Sequence, residues 1–398
     1  MTETSRLFAI QGAAPAFREP IHVGRPNQPP REAFLRRLNE ALDRNWLSNN
    51  GPLVKEFEEK IGAVTSVPHC VAVSNGTSGL QVLMRALGIA GPIAMPSFTF
   101  VATPASAAWL GLDPMLVDIE GERYGLCPEQ VASLPAIDGI VGVHVWGIPC
   151  AVEELALIAA ERGCPLILDS AHALGSRLRG VPIGGFGAAE VFSFHATKLV
   201  HSFEGGAVTT NDESLADEVR RMINFGFVGY DEVSGIGTNS KMSELNAAMG
   251  LATIEFLPNI LEHNAANRAV YEASFSSIPG IELVTAPSNS QTNEHYVVAL
   301  IDEDKLGLSR DGLYRLLHSE NVLARRYFYP GTHRMGPYQR FAGERSFVIS
   351  DAISHACLAF PTGLAVDEHV IRRIAELIER CHTHHKLVSS LVAETAAP

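Results

Sequence analysis

The sequence predicts an α/β protein, with a large domain built on a mainly parallel sheet between helices and a smaller C-terminal α+β domain. Three observations predict it. Short apolar runs alternate with amphipathic helical stretches from His69 to Thr210, and such alternation makes a parallel sheet covered on both faces. A long helical pattern from Ser243 to about Ser276, broken near Pro258, leads out of that region. Beyond it strands and helices mix without regular alternation. A chain of 398 residues suits two domains, here a large domain over 31–255 and a small one over 256–398. An N-terminal arm over 1–30 precedes them.

The elements follow in order. Pro15–Pro30, rich in proline and polar residues, reads as an irregular arm. Arg31–Trp46 is helical, with Phe34, Leu35, Leu38 and Leu42 on one face. Asn49-Asn50-Gly51-Pro52 breaks it, and a second amphipathic helix follows near Leu53–Ile61. Then come strand His69–Ser74, helix Thr77–Leu87, strand Pro92–Met95, helix Val101–Leu110 and strand Met115–Asp118. A long apolar strand over Ile137–Trp146 precedes helix Val152–Arg162. Strand Pro165–Leu168 ends at Asp169, and Ala189–Phe194 and Gly206–Thr210 are two further strands. The small domain has strands at Ile281–Val284, Tyr296–Ile301 and Leu323–Phe328, and helices at Arg310–Leu317 and Glu368–Cys381. There is no internal repeat, and an Ala/Pro tail closes the chain.

Composition narrows the function classes. The net charge of −13 repels a polyphosphate backbone, so nucleic acid is not an expected partner; a small phosphorylated ligand remains compatible, because local backbone donors can outweigh global charge. No run reaches the ~18–20 apolar residues of a membrane helix, and Met1–Pro30 lacks an apolar signal core, so the expected location is the cytoplasm. The six cysteines are scattered without a CxxC pair and read as reduced thiols. Cys381-His382-Thr383-His384-His385 reads as a solvated helix end in a polar tail rather than a metal site, so no metal is expected.

Three segments carry chemistry. Ser74-Asn75-Gly76-Thr77-Ser78-Gly79 joins a strand to a helix. Glycine lets the backbone approach an anion, and the helix N-terminus offers free N–H groups; alone, the segment reads equally as a capped turn. Asp169 ends an apolar strand, where open α/β sheets bind ligands. A carboxylate there needs a cationic or donor partner, and a protonated pyridine nitrogen would serve, as would a role as a helix cap. Lys198 follows Phe192-Ser193-Phe194-His195-Ala196-Thr197, and partial burial would make its amine nucleophilic; a solvated lysine is the plain alternative. Ser193 could donate to a phosphate. The three together, in this order, point to one phosphorylated pyridine cofactor.

At this point the chain resembles the DegT/StrS group of sugar-nucleotide aminotransferases, pyridoxal-phosphate enzymes of the aspartate-aminotransferase fold. The resemblance runs from about Arg25 to His382. It rests on NWLSNNGPLVKEFEEKI, VAVSNGTSGLQ, PSFTFVAT, VHVWGIP, LILDSAHALGS, GGFGAAEVFSFHATK, EGGAVTTND and TNSKMSELNAAMGL. It implies pyridoxal 5'-phosphate bound covalently at Lys198, which also shuttles protons. It implies Asp169 at the pyridinium nitrogen, His172 close to the ring, Phe100 stacked on the ring face, and Gly76, Thr77 and Ser193 at the phosphate. Asn239 is expected to reach the phosphate of a second copy, which implies a homodimer with composite active sites. The 3-dehydratases of the group carry histidine at the lysine position, so Lys198 favours transamination.

The resemblance also implies substrates. The donor is L-glutamate and the acceptor a nucleotide-linked ketosugar. Arg325-Arg326-Tyr327-Phe328-Tyr329-Pro330-Gly331-Thr332-His333 is similar to the stretch facing the sugar in dTDP-sugar members, which nominates Arg326, Tyr329 and His333. The favoured acceptor is dTDP-4-keto-6-deoxyglucose, aminated at C4. A 3-keto sugar, another nucleotide sugar or an aminocyclitol precursor are the alternatives, and a pyridoxal-phosphate sensor without turnover is a remote one, since no basic DNA-binding appendage is present. One departure stands out: Phe203 precedes Glu204-Gly205-Gly206, where the group usually has a small residue. It could narrow the sugar pocket or repack the loop.

Overall fold

A computed structural model describes residues 7–394; the terminal residues of the Ala/Pro tail lie outside them. Seven strands form the large sheet: β1 (His69–Val73), β2 (Pro92–Pro96), β3 (Asp113–Val117), β4 (Gly139–Val143), β5 (Leu166–Asp169), β6 (Ala189–Ser193) and β7 (Gly206–Thr210). Their order is β1-β7-β6-β5-β4-β2-β3, and β7 alone runs antiparallel to its neighbours. Large-domain helices are α1 (Arg31–Arg44), α2 (Pro52–Thr65), α3 (Gly76–Ala86), α4 (Ala102–Trp109), α5 (Val152–Arg162), α6 (Glu213–Met222) and α7 (Glu244–Glu255).

The strands are short and apolar throughout because both faces are buried. Successive side chains point to opposite faces, so Ile140, Leu168, Phe192 and Ala207 join Phe57 and Ile61 of α2 in one core, while Val141, Ile167, Val191 and Val208 join Leu80 and Leu83 of α3 in the other. The first turn of α2 is capped from a distance: the buried Glu244 carboxylate accepts Leu53 N–H and Val54 N–H, both at 2.9 Å. Gly51 beside it has no space for a side chain, since a Cβ would lie 2.5 Å from Glu244 Cδ.

The helical stretch after Ser243 is two helices, α7 and α8 (Leu257–Phe275), with Pro258 in the first turn of the second. The small domain has a three-stranded antiparallel sheet, β8 (Ile281–Leu283), β9 (Val297–Ile301) and β10 (Cys357–Phe360), packed with α9 (Arg310–Ser319), α10 (Val348–Ala356), α11 (Glu368–Thr383) and α12 (His385–Glu394).

Several expectations change. The N-terminal arm is irregular over Pro15–Pro30 as expected apart from Ile21–His22, which pairs with Val322–Leu323, and its Phe8 and Phe17 are buried in the small-domain core. The expected strand Ile137–Trp146 stops at Val143, where the chain turns through Val145–Gly147 with Trp146 at φ 55°. The turn is buried like the strand, so hydrophobicity does not mark the boundary. The expected strand Leu323–Phe328 ends at Leu323; Arg325 bonds Ala359 at one bridge, and the chain then turns, Tyr329 N–H donating to the Arg326 carbonyl at 2.7 Å. Cys381 is not at a solvated helix end. It is buried in the small-domain core, His382 Nδ1 lies 2.9 Å from the Leu306 carbonyl, and the chain continues into α12. In α1 the buried residues are Arg37 and Ala41, while Leu35 and Leu42 of the apolar face are exposed.

The two domains are joined by a carboxylate. Asp118, just past β3 and buried, accepts Ile349 N–H at 3.0 Å, Ser350 N–H at 2.8 Å and the Ser350 hydroxyl at 2.6 Å. It caps the first turn of α10, whose own N-cap residue, Phe347, offers no side-chain acceptor. Asp118→Ala would strand these donors in a dry site. We expect it to lower unfolding stability by about 3 kcal/mol, read as a fall in the denaturant midpoint.

Candidate active site

Neighbouring strands bring two candidate side chains to one end of the sheet. β5 ends in Asp169, and β6 runs parallel beside it with Val191 opposite Asp169 and Ser193 at its end. The chain then turns over Phe194–Ser202 to enter β7, and Lys198 sits on that turn, its own N–H bonded to the His195 carbonyl at 2.9 Å. α3 leaves β1 alongside, so its N-terminus reaches the same end of the sheet.

Glycine makes that approach possible. A Cβ on Gly76 would lie 3.2 Å from Ser193 Cβ, and one on Gly206, the last glycine of the Glu204-Gly205-Gly206 segment, would lie 2.8 Å from Gly76 N. The Asn75 side chain caps α3 by accepting Ser78 N–H at 2.8 Å. Gly76 and Thr77 lie in the first turn, where N–H groups have no acceptor within the helix. With Ser193 beside Gly76, they form a cradle for an anion. Ser74, Ser78 and Ser240 support it through mutually bonded hydroxyls at 2.6–3.2 Å.

Asp169 is only 8% exposed. Its Oδ2 accepts the Thr103 hydroxyl at 2.8 Å, and its Oδ1 accepts Ala171 N–H at 3.2 Å. Burial pushes its pKa up, and the two hydrogen bonds and Lys198 pull it down by less. Burial lowers the Lys198 pKa to about 8, against the raising effect of the Asp169 charge. At neutral to mildly basic pH a useful fraction of that amine is unprotonated, as a nucleophile or base requires. His172 is held neutral, its pKa pushed well below the ordinary value by burial and then by Lys198 and His295. Its Nδ1 accepts Trp146 N–H at 3.3 Å, and its ring lies 4.4 Å from that of Tyr296 and stacks 5.8 Å from that of Phe328.

The other nominated residues divide. Phe100 is 57% exposed, its ring 6.3 Å from Phe328, and both line a cavity of about 240 Å³ with Arg325, Arg326, Tyr327 and Tyr329. Arg326 is held by Asp311 at 3.0 Å and lies over the rings of Tyr314 and Tyr329. His333 is not among the residues lining this cavity: its ring is buried, stacked on Phe347 at 4.3 Å and bonded to Asp351 at 2.9 Å. Asn239 is exposed on the surface segment that bridges Asn224. Phe203 has a left-handed backbone (φ 62°) and packs edge-on against Phe34 of α1, so it repacks the loop and is not among the residues lining the cavity. Strain at that φ is smallest for glycine.

Sequence reading missed Thr103, Asn293 and His295. Thr103 lies three residues after Phe100 in a quoted segment, but its bond to Asp169 spans 66 positions. No local pattern announces such a contact.

A buried carboxylate, a lysine amine of lowered pKa and a glycine-lined anion cradle, meeting at the strand ends of a parallel sheet, define an α/β enzyme of the transaminase type. Over residues 30–379 the chain matches the DegT/DnrJ/EryC1/StrS aminotransferase family, and it belongs to that family. It is 35% identical over 314 residues (78% of this chain, 85% of the relative) to dTDP-4-amino-4,6-dideoxy-D-glucose transaminase of Shigella dysenteriae. It is 32% identical to the protein of that name from Escherichia coli, over 90% of this chain and 98% of the relative. A crystal structure of DesI in the presence of its TDP-sugar product superimposes with TM-score 0.92 at 42% identity, covering 96% of this chain and 98% of that one.

Proposed function

We propose that this aminotransferase uses pyridoxal 5'-phosphate to move an amino group from L-glutamate to dTDP-4-keto-6-deoxyglucose, giving dTDP-4-amino-4,6-dideoxyglucose. The observation that carries the cofactor is the buried Asp169 carboxylate facing the Lys198 amine beside the Gly76–Ser193 cradle. Gly76, Thr77 and Ser193 would hold the phosphate, Asp169 the ring nitrogen, and Phe100 and His172 the ring. When bound, the cofactor supplies an electron sink for the charge left at the substrate carbon. Lys198 takes the proton from that carbon and returns it on the acceptor side. Asp169, sheltered from water, favours positive charge at the atom it faces.

The acceptor rests on the named relatives and on the DesI complex. Phe100, Arg326 and Tyr329 surround the cavity that suits it. A GDP-sugar reading has weaker support from GDP-perosamine synthase of Vibrio cholerae, 30% identical over 86% of this chain. The exposed apolar residues Phe225 and Ile236 lie close to Asn239, Phe225 N–H donating to the Thr238 carbonyl, and Leu42, Trp46 and Leu47 are exposed as well; uncovered apolar surface of this kind supports a homodimer in which Asn239 of one copy serves the other's phosphate. Among the described residues no helix is long and apolar enough to cross a membrane; the cytoplasm is the proposed place of work.

The test converts the loaded enzyme to its amine form with L-glutamate, removes the excess and offers nucleotide ketosugars singly. Recovery of the starting visible absorption with dTDP-4-keto-6-deoxyglucose is the expected result. Recovery only with a 3-keto or GDP-linked sugar overturns the acceptor, and no visible absorption at the outset overturns the cofactor.

A further inference from the structure

One buried group beside Lys198 has no place in the chemistry described so far. His295 lies just before β9, and with Asn293 it forms a brace between the domains. Asn293 Nδ2 donates to the carbonyls of His172 at 2.8 Å and Leu174 at 2.9 Å, and its Oδ1 accepts His295 N–H at 3.0 Å. His295 Nε2 reaches the Thr197 carbonyl at 2.9 Å. A carbonyl only accepts, so Nε2 carries the ring proton and Nδ1 is a bare lone pair. That Nδ1 is buried and has no hydrogen-bond partner. The ring lines one small cavity with Lys198, His172, Ser193 and Asn293.

Burial disfavours charge on this ring, lowering its pKa to about 4, with the Thr197 bond opposing and the Lys198 charge adding to the shift. It is therefore a neutral acceptor at working pH. An unpaired acceptor in a dry cavity costs free energy unless a donor meets it. The Lys198 ammonium is the cationic donor lining that cavity. The other titratable groups around the pair are Asp169 at the end of β5, His172 after it, and Tyr296, whose ring is 5.0 Å from that of His295.

We propose that His295 is a positioning residue for Lys198: its Nε2–H fixes the Thr197 carbonyl next to the lysine, and its unpaired Nδ1 lone pair is the acceptor that the Lys198 ammonium meets when the side chain turns toward it across the cavity they share. The proposal rests on the aminotransferase reading and adds to it. An acceptor favours the protonated amine, so removing it makes Lys198 easier to deprotonate. His295 and Asp169 then act in the same direction on Lys198, against its burial.

The apoenzyme provides the test, because the lysine can be read without turnover. The rate of reductive methylation of Lys198 against pH, followed by peptide mass spectrometry, is expected to have its wild-type midpoint near 8. His295→Gln keeps a donor for Thr197 and loses the acceptor at Nδ1, and should lower the midpoint by about one pH unit, as expected for a hydrogen bond to a charged group. His295→Asn places an oxygen near Nδ1 and should restore most of the wild-type midpoint. Cofactor uptake by the two variants provides a second reading, slower for Asn because the Thr197 tether is lost. If both variants titrate with the wild-type midpoint, the proposal is overturned. If the wild-type apoenzyme takes up no pyridoxal phosphate at Lys198, the aminotransferase reading fails instead, and the two failures are distinct.

Discussion

Lys198→Ala should reduce turnover by at least about 10⁴-fold while the protein remains folded. Two contributions vanish together: the amine that binds the cofactor and the base that moves the proton, the second alone being worth roughly 10²–10⁴. Stability should change little. The residue keeps some exposure, and burial of its amine already disfavours its charge. The measurement pairs single-turnover amino transfer with a thermal melt. Residual turnover within 100-fold of wild type would remove Lys198 from the chemistry, whereas a melting temperature lowered by more than a few degrees would reveal a structural role.

Asp169→Asn should cost roughly 10³-fold in kcat, within the range for a positioned charge or proton-transfer group, with a smaller change in KM. The side chain stays the same size and can still accept one of the bonds from Thr103 and Ala171, but the negative charge is lost. The sign on Lys198 is fixed by geometry. The Asp169 charge raises the lysine pKa, so removing it should move the apoenzyme midpoint below 8 and leave more neutral amine at pH 7. A variant with more nucleophilic lysine and much slower transfer would separate the carboxylate's effect on the cofactor from its effect on the lysine. A midpoint that rises would contradict the arrangement of charges at the site.

The chain order of the candidate site was legible because Asp169, Gly76 and Lys198 each sit at a strand end or on the turn that follows. Asp169 terminates an apolar run, Gly76 opens the helix after another, and Lys198 follows the strand that ends at Ser193. Local patterns carry such information, since a buried strand must be apolar and its first polar residue marks where it leaves the core. The same logic failed where a turn is as buried as the strand before it, at Val145–Gly147, and along α1, where Leu35 and Leu42 of the apolar face stay exposed while Phe34 packs on the core.

The sequence by itself determined the α/β class, the two kinds of domain, the strand-to-helix motif at Gly76 and the positions of Asp169 and Lys198. Tertiary structure decided the partners. Thr103 bonds Asp169 across 66 positions, Asp118 caps a helix more than 200 residues away, and His295 reaches Thr197 from the far domain. It also paired His333 with Asp351 and Phe347. These choices depend on which surfaces the sheet brings together and how much water that contact expels, and both are properties of the folded chain rather than of any window along it.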